Sequence, residues 1–168
     1  MRRVICLGNE LAGDDGVAVR VGGELTRLGL PTDVELTLSP AVGLDLIDLV
    51  LDADALVFVD ATSTGVPPGT VRRLSLAEVS GLAAAPYCCH ALGLPELLRL
   101  AARLAPYGRR PLVTVVGIEA AVMDRFGTEL SAPVAAAVPV AASAVLGALG
   151  LAAAGERAGK PAGEPPLP

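Results

Sequence analysis

The sequence predicts a three-layer α/β/α domain whose central sheet is mostly parallel. Short apolar runs typical of buried strands occur at residues 4–7, 55–59 and 111–118. Segments whose apolar residues have helical spacing lie between and after these runs, at 17–28 and 95–104. Strands that alternate with helices pair in parallel through crossovers, so we expect helices to cover the sheet on both faces.

The first 60 residues predict three strands and two helices. The strand at 4–7 is followed by a helix whose apolar residues recur every three or four positions: Val17, Val21, Leu25 and Leu28. The alternating segment 34–38 predicts a second strand. Residues 43–51 predict a short helix that turns three side chains inward: Leu44, Ile47 and Leu51. The third strand, at 55–59, has the apolar character of a central strand.

The remaining chain predicts two more strands and two helices. Residues 70–74 indicate an edge strand, because Arg72 and Arg73 would be costly to bury in a covered one. Pro95 suits the first turn of a helix that ends near residue 104. Another buried strand is expected at 111–118.

A segment without charge runs from residue 130 to residue 155 and is long enough to span a bilayer. It contains Pro133 and Pro139, however, and its larger apolar residues fall close to one helical face: Val134, Val138, Val145, Leu146 and Leu149. We therefore predict a helix packed on the sheet and no membrane insertion.

The composition is that of one acidic globular domain. The 168 residues are 52% hydrophobic and carry a formal net charge of −5, which argues against nucleic-acid binding because that requires a basic surface. We expect a single domain over residues 1–154. The segment 155–168 is rich in glycine, proline and charge and predicts a flexible tail.

The three cysteines predict reduced thiols in a cytoplasmic protein. Cys6, Cys88 and Cys89 are odd in number and form no Cys-x-x-Cys pair. The apolar run near the N-terminus is broken by Asn9 and Glu10 and is too short for a signal peptide.

Three residues with ligand chemistry lie close to the ends of predicted strands or in loops. Asp15 follows the first strand by a short loop, Asp60 ends the run 55–59, and His90 is the protein's one histidine. The carboxyl ends of neighbouring parallel strands share a crevice in which ligands bind. Two carboxylates and one imidazole that converge there predict a three-ligand site for a divalent metal.

Simpler interpretations of each residue remain open at this point. Asp14 is interpreted as a solvated helix cap, and Asp15 and Asp60 alone could serve as a cap and a strand terminator.

The loop that carries Asp14 and Asp15 lacks the Gly-x-Gly-x-x-Gly pattern of a dinucleotide site, and its acids would repel phosphate. Cys88-Cys89-His90 suggests a thiolate–imidazole nucleophile, although sequence neighbours rarely face each other correctly. Ser63 and Thr64 lie near Asp60, but the chain has no Gly-x-Ser-x-Gly motif.

Taken together, these motifs resemble those of the hydrogenase maturation peptidases, nickel-dependent endopeptidases that trim the large subunit of nickel–iron hydrogenases. The resemblance extends from the N-terminus to about residue 150. Three blocks carry most of it: Leu7-Gly8-Asn9 with Gly13-Asp14-Asp15-Gly16, Val57-Phe58-Val59-Asp60-Ala61, and His90-Ala91-Leu92-Gly93. Gly117-Ile118-Glu119 and Leu130-Ser131 resemble two further blocks less specifically. Ala120, where the family usually has proline, and Phe126-Gly127-Thr128-Glu129, where it often has a Gly-Asp-Gly-like turn, depart from the pattern. These departures bear on substrate choice more than on the metal site.

The resemblance implies an endopeptidase that cleaves the C-terminal extension of a large-subunit precursor once nickel has been inserted. Asp15, Asp60 and His90 would be both the catalytic and the metal-contacting residues. Nickel would arrive with the substrate, so the isolated protein need not hold a metal. Two alternatives stay open: a non-catalytic, nickel-dependent assembly factor for the same large subunit, and a small-molecule α/β metallohydrolase.

Overall fold

A five-stranded sheet forms the centre of the protein. The structure, a computed structural model, describes residues 1–40, 43–75, 77–79, 94–105 and 111–151. The strands are β1 (Arg2–Leu7), β2 (Val34–Ser39), β3 (Ala55–Thr62), β4 (Val71–Ser75) and β5 (Leu112–Glu119), in the spatial order β2-β1-β3-β5-β4. All neighbours are parallel except β4, which pairs antiparallel with β5 at one edge. The mostly parallel sheet and the edge strand are therefore confirmed.

Helices lie on both faces of this sheet, as the three-layer prediction requires. They are α1 (Val17–Leu28), α2 (Ile47–Leu51), α3 (Leu94–Leu104) and α4 (Ala132–Ala148). On one face, α1 and α4 pack against each other and against alternate strand residues such as Val57, Val59 and Val116. On the other face, side chains from α2 and α3 cover Ile5, Phe58 and Val115. Successive strand residues thus supply two separate cores, as the pleat dictates.

Helix α4 confirms the interpretation of the uncharged segment. Its buried side chains pack on α1 and the sheet: Val134, Ala137, Ala141, Ala142, Val145 and Leu146. Pro133 lies in the first turn, where its missing N–H costs no helical hydrogen bond. Among the described residues, no helix has the length and apolar character needed to cross a membrane.

The inward face predicted for residues 43–51 is confirmed for Ile47 and Leu51, which are partly buried against the core, and is wrong for Leu44. The segment begins as a 3-10 turn, Leu44–Leu46, and continues as α2. Leu46 and Val50 are buried, whereas Leu44 is 70% exposed. A 3-10 turn has fewer residues per turn than an α-helix, which rotates the buried stripe away from the α-helical spacing used for the prediction. The tail predicted for residues 155–168 lies outside the described residues and stays a prediction, as does the domain boundary at residue 154.

Candidate active site

The strand that precedes Asp15 and the strand that contains Asp60 are direct neighbours. β1 pairs with β3 in parallel, with Cys6 opposite Val59, so their carboxyl ends open on the same crevice. Asp60 lies inside β3, which continues to Thr62, and not at its end as the apolar run suggested. Its backbone is opposite Gly117 of β5. The extra residues of β3 place Asp60 in the middle of the sheet with a strand on either side.

Asp15 reaches the crevice through a tight turn after β1. It belongs to a 3-10 turn, Gly13–Gly16, which contacts β3. Its side chain is buried, and the backbone N–H of Asn9 donates to Oδ2 at 2.8 Å. Gly8 makes this turn possible. It has φ +152°, and a Cβ there would lie 2.1 Å from the backbone oxygen of Asp15. Only glycine permits both that conformation and that approach.

Asp15 and Asp60 are therefore two buried carboxylates on neighbouring elements, with exposed fractions of 4% and 3%. Taking a carboxylate out of water costs several kcal/mol unless hydrogen bonds or a cation compensate it. The cation-binding role that the sequence predicted for these two acids stays a prediction.

The interpretation of Asp14 as a solvated cap is wrong. The side chain is buried and makes no capping hydrogen bond to α1 or to its own turn. Instead it accepts four hydrogen bonds from the chain that follows β5. The donors are the backbone N–H groups of Ala121 (2.8 Å), Val122 (2.9 Å) and Ser131 (2.6 Å), and the Ser131 hydroxyl (2.9 Å). Asp14 thus ties the loop 120–131 to the turn that carries Asp15.

These bonds also control the ionisation of Asp14. Burial by itself would raise the pKa of its carboxyl, but the hydrogen bonds from Ser131, Val122 and Ala121 outweigh that effect and lower the pKa below its ordinary value. The group therefore stays ionised in the folded protein. Tertiary contacts with residues more than 100 positions away decide its role, which explains why local sequence suggested a cap.

Glu119 is a further buried acid to which the sequence analysis assigned no role. It ends β5 and accepts hydrogen bonds from the Thr62 hydroxyl (2.8 Å), the Thr64 N–H (2.5 Å), the Thr64 hydroxyl (2.9 Å) and the Gly65 N–H (2.7 Å). It therefore holds the segment that follows Asp60. An acid at the end of an apolar run is the same signal that pointed to Asp60, so Glu119 was within reach of sequence reasoning. The Thr64 hydroxyl is committed to this structural contact, which agrees with the absence of a Gly-x-Ser-x-Gly nucleophile motif there.

His90 lies outside the described residues, as do Cys88 and Cys89. Within the ranges that the structure does describe, no group of three His, Cys, Asp or Glu side chains is arranged to hold a metal. The three-ligand site and the thiolate–imidazole pair both stay predictions. Cys6 is a buried free thiol, and burial raises its pKa to about 12. It is therefore an unreactive core residue.

Comparison with known proteins identifies the family. The family model described as hydrogenase maturation protease matches residues 19–148. The chain belongs to this family. It is 36% identical over 129 residues to the hydrogenase expression/formation protein HupD of Thiocapsa roseopersicina, covering 76% of the chain and 58% of that protein. It is 32% identical over 135 residues to HoxM of Azotobacter vinelandii, covering 79% and 64%. The chain thus spans about three fifths of the length of such relatives.

Solved structures in the family share the fold. The hydrogenase maturating endopeptidase HybD of E. coli superposes with a TM-score of 0.79 at 28% identity, over 88% of this chain and 91% of that one. HybD of Thermococcus kodakarensis, a [NiFe] hydrogenase maturation protease, gives a TM-score of 0.68 at 29% identity, over 86% and 95%. The family and the α/β fold inferred from the sequence are both confirmed.

Proposed function

We propose that this protein is an endopeptidase that removes the C-terminal extension of a nickel–iron hydrogenase large-subunit precursor after nickel insertion. The observation that carries the proposal is a pair of buried acids at the carboxyl edge of the sheet: Asp15 in the turn after β1 and Asp60 in the neighbouring strand β3. The chain that carries them belongs to the hydrogenase maturation protease family. The E. coli structure that this chain resembles is itself described as a hydrogenase maturating endopeptidase.

The nickel ion belongs to the substrate in this proposal. A precursor that already holds nickel presents it to Asp15, Asp60 and His90, which complete its coordination. Carboxylate oxygens and imidazole nitrogen are suitable donors for divalent nickel, and two negative charges favour a dication in a buried crevice. A precursor without nickel would meet two carboxylates and no cation, so it would bind poorly. The site therefore distinguishes a loaded precursor from an empty one before any bond is broken.

Peptide cleavage then requires an activated water next to the scissile carbonyl. Nickel can lower the pKa of that water or polarise the carbonyl, and one of the two carboxylates can accept the proton as general base. Either route adds hydroxide to the carbonyl carbon and delivers a proton to the leaving amine. In both, the binding of the metal positions the peptide for attack.

We place this activity in the cytoplasm. The support is the cysteine pattern, an odd number of three cysteines with Cys6 a buried free thiol, since reduced thiols are typical of that compartment.

The proposal is tested by incubating the full chain with nickel-loaded and nickel-free precursor and measuring intact masses. We expect the loaded precursor to lose the mass of its extension and the nickel-free precursor to stay unchanged. A stable complex without a mass change would establish an assembly factor instead. Cleavage that is equal with and without nickel would overturn the metal-recognition mechanism.

A further inference from the structure

We propose that Leu11, Val122 and Phe126 form an apolar contact surface beside the candidate active site, and that this surface binds an apolar segment of the large-subunit precursor next to its cleavage site. The inference rests on the proposed function. The three side chains are 46%, 38% and 85% exposed, respectively. Large apolar side chains that are exposed side by side mark interaction sites more often than solitary ones do.

Backbone hydrogen bonds bring the three residues together from two distant parts of the chain. The N–H of Gly127 donates to the carbonyl of Leu11, and the N–H of Gly13 donates to the carbonyl of Gly127, both at 2.9 Å. The N–H of Asp14 donates to the carbonyl of Val122, also at 2.9 Å. The loop 120–131 is therefore joined along its length to the turn that carries Asp15, and the contact surface (Leu11, Val122 and Phe126) extends directly from the site.

This surface is held in place before any partner arrives. The Asp14 carboxylate fixes Val122 and Ser131, and a Cβ on Gly13 would lie only 2.9 Å from the Val122 carbonyl. The loop is thus tightly anchored by its backbone while Phe126 projects into solvent. An aromatic side chain on a backbone that is already held has few rotatable bonds left to order on binding and buries a large apolar area, which is the character of an interface hot spot.

The position of the surface indicates the precursor as its occupant. A peptide bond that reaches Asp15 and Asp60 comes from a chain that crosses the loops at this edge of the sheet, and these loops carry Leu11, Val122 and Phe126. Glu10, Asp124 and Glu129 are exposed on the same two loops, together with one basic residue, Arg125. The net negative charge of this border disfavours an anionic membrane surface. An apolar stretch of the bound precursor is the partner that both features fit.

The test compares Phe126→Ser with a control, Leu112→Ser. Leu112 is 79% exposed at the first residue of β5, at the opposite end of the sheet. We expect Phe126→Ser to raise KM for nickel-loaded precursor about tenfold with kcat within about twofold, as loss of a hot-spot side chain does. Leu112→Ser should leave both constants unchanged. Because both side chains are exposed, thermal unfolding should match wild type in each variant.

The outcomes separate this inference from the proposed function. Normal cleavage by wild type with an unchanged KM for Phe126→Ser overturns the contact surface and leaves the proposed function standing. If wild type binds the precursor without cleaving it, the Kd from titration replaces KM. An unchanged Kd for Phe126→Ser then overturns the contact surface. A wild type that neither binds nor cleaves overturns both proposals. An equal loss in Leu112→Ser, or a wild-type dimer that Phe126→Ser converts to a monomer in sedimentation, also overturns the inference.

Discussion

Two segments at the carboxyl edge of the sheet each present one candidate ligand and are each held by a second buried acid. In segment 8–16, after β1, the ligand Asp15 adjoins the holding residue Asp14, which reaches across to the loop 120–131. In segment 60–65, at the end of β3, the ligand is Asp60, and the holding residue Glu119 comes from the neighbouring strand. Asp14 belongs to its site segment and accepts hydrogen bonds from another loop. Glu119 lies outside its site segment and accepts hydrogen bonds from it.

The two holding acids are both fully occupied by hydrogen-bond donors. A carboxylate has about four positions for hydrogen-bond donors, and Asp14 and Glu119 each accept four hydrogen bonds. Neither retains the capacity to coordinate a metal. In these two segments we assign the proposed nickel contacts to Asp15 and Asp60.

The largest effect is expected from removal of the candidate ligands. Asp15→Ala, Asp60→Ala and His90→Ala should each reduce processing of nickel-loaded precursor by roughly 100-fold or more, because a coordinating atom is lost. The circular dichroism spectrum should be retained, since none of these changes removes a large apolar side chain from the core. The exposed Asp48 on α2 provides a control, and Asp48→Ala should process at the wild-type rate.

The same assay tests the competing nucleophile. Cys89→Ala and Cys88→Ala should keep most of the activity if these thiols only pack in the structure. Should either variant be inactive while His90→Ala is also inactive, the thiolate–imidazole pair would replace the metal-recognition mechanism.

The next largest effect is expected for Asp14→Asn. Asp14 Oδ2 accepts from Ala121 N–H, Val122 N–H and the Ser131 hydroxyl, and Oδ1 accepts from Ser131 N–H. In either orientation the asparagine NH₂ group faces at least one backbone N–H, so a buried donor loses its partner. We expect the free energy of unfolding to fall by about 2 kcal/mol, measured by urea denaturation. If Asp14 were a solvated cap, its replacement by asparagine would hardly change the free energy of unfolding. An unchanged value would therefore support that interpretation.

Glu119→Gln should have a smaller effect, although it is the same chemical change at the other segment. Glu119 Oε1 accepts from two backbone N–H groups, whereas Oε2 accepts from the hydroxyls of Thr62 and Thr64. A glutamine can keep its oxygen toward the N–H groups and donate its NH₂ to the hydroxyls, which also accept. We expect a loss below about 1 kcal/mol in the same denaturation experiment. A loss of unfolding free energy as large as that of Asp14→Asn would show that the lost negative charge, and not the geometry of the donors, sets the size of the effect.

The smallest effect is a pH dependence of the Asp14 contribution. The lowered pKa of its carboxyl means that the ionised group is stabilised by folding. That stabilisation is complete well above the unfolded pKa, near pH 4, and is lost as pH falls through the folded pKa. The difference in unfolding free energy between wild type and Asp14→Asn should therefore be constant from pH 7 to about pH 5 and narrow below pH 4. A difference that stays constant down to pH 3 would contradict the role of ionisation.

The sequence by itself determined the architecture and the two acids at the crevice. Apolar runs separated by segments of helical period require a covered parallel sheet, and acids that follow such runs come to its carboxyl edge. The sequence also determined the family, because its motifs are local and keep their order along the chain. The side chains of β3 alternate between the two cores, and this alternation follows from the strand pleat alone.

Only the tertiary structure decided which acids hold the fold. Asp14 resembles a helix cap locally, but its four donors come from residues 121–131. Glu119 carries the same strand-end signal as Asp60, yet it is committed to the loop after β3. The exposure of Phe126 likewise depends on how its loop is joined to Leu11 and Gly13. Hydrogen-bond partners far apart in sequence set the role of a buried carboxylate, and no local pattern records them.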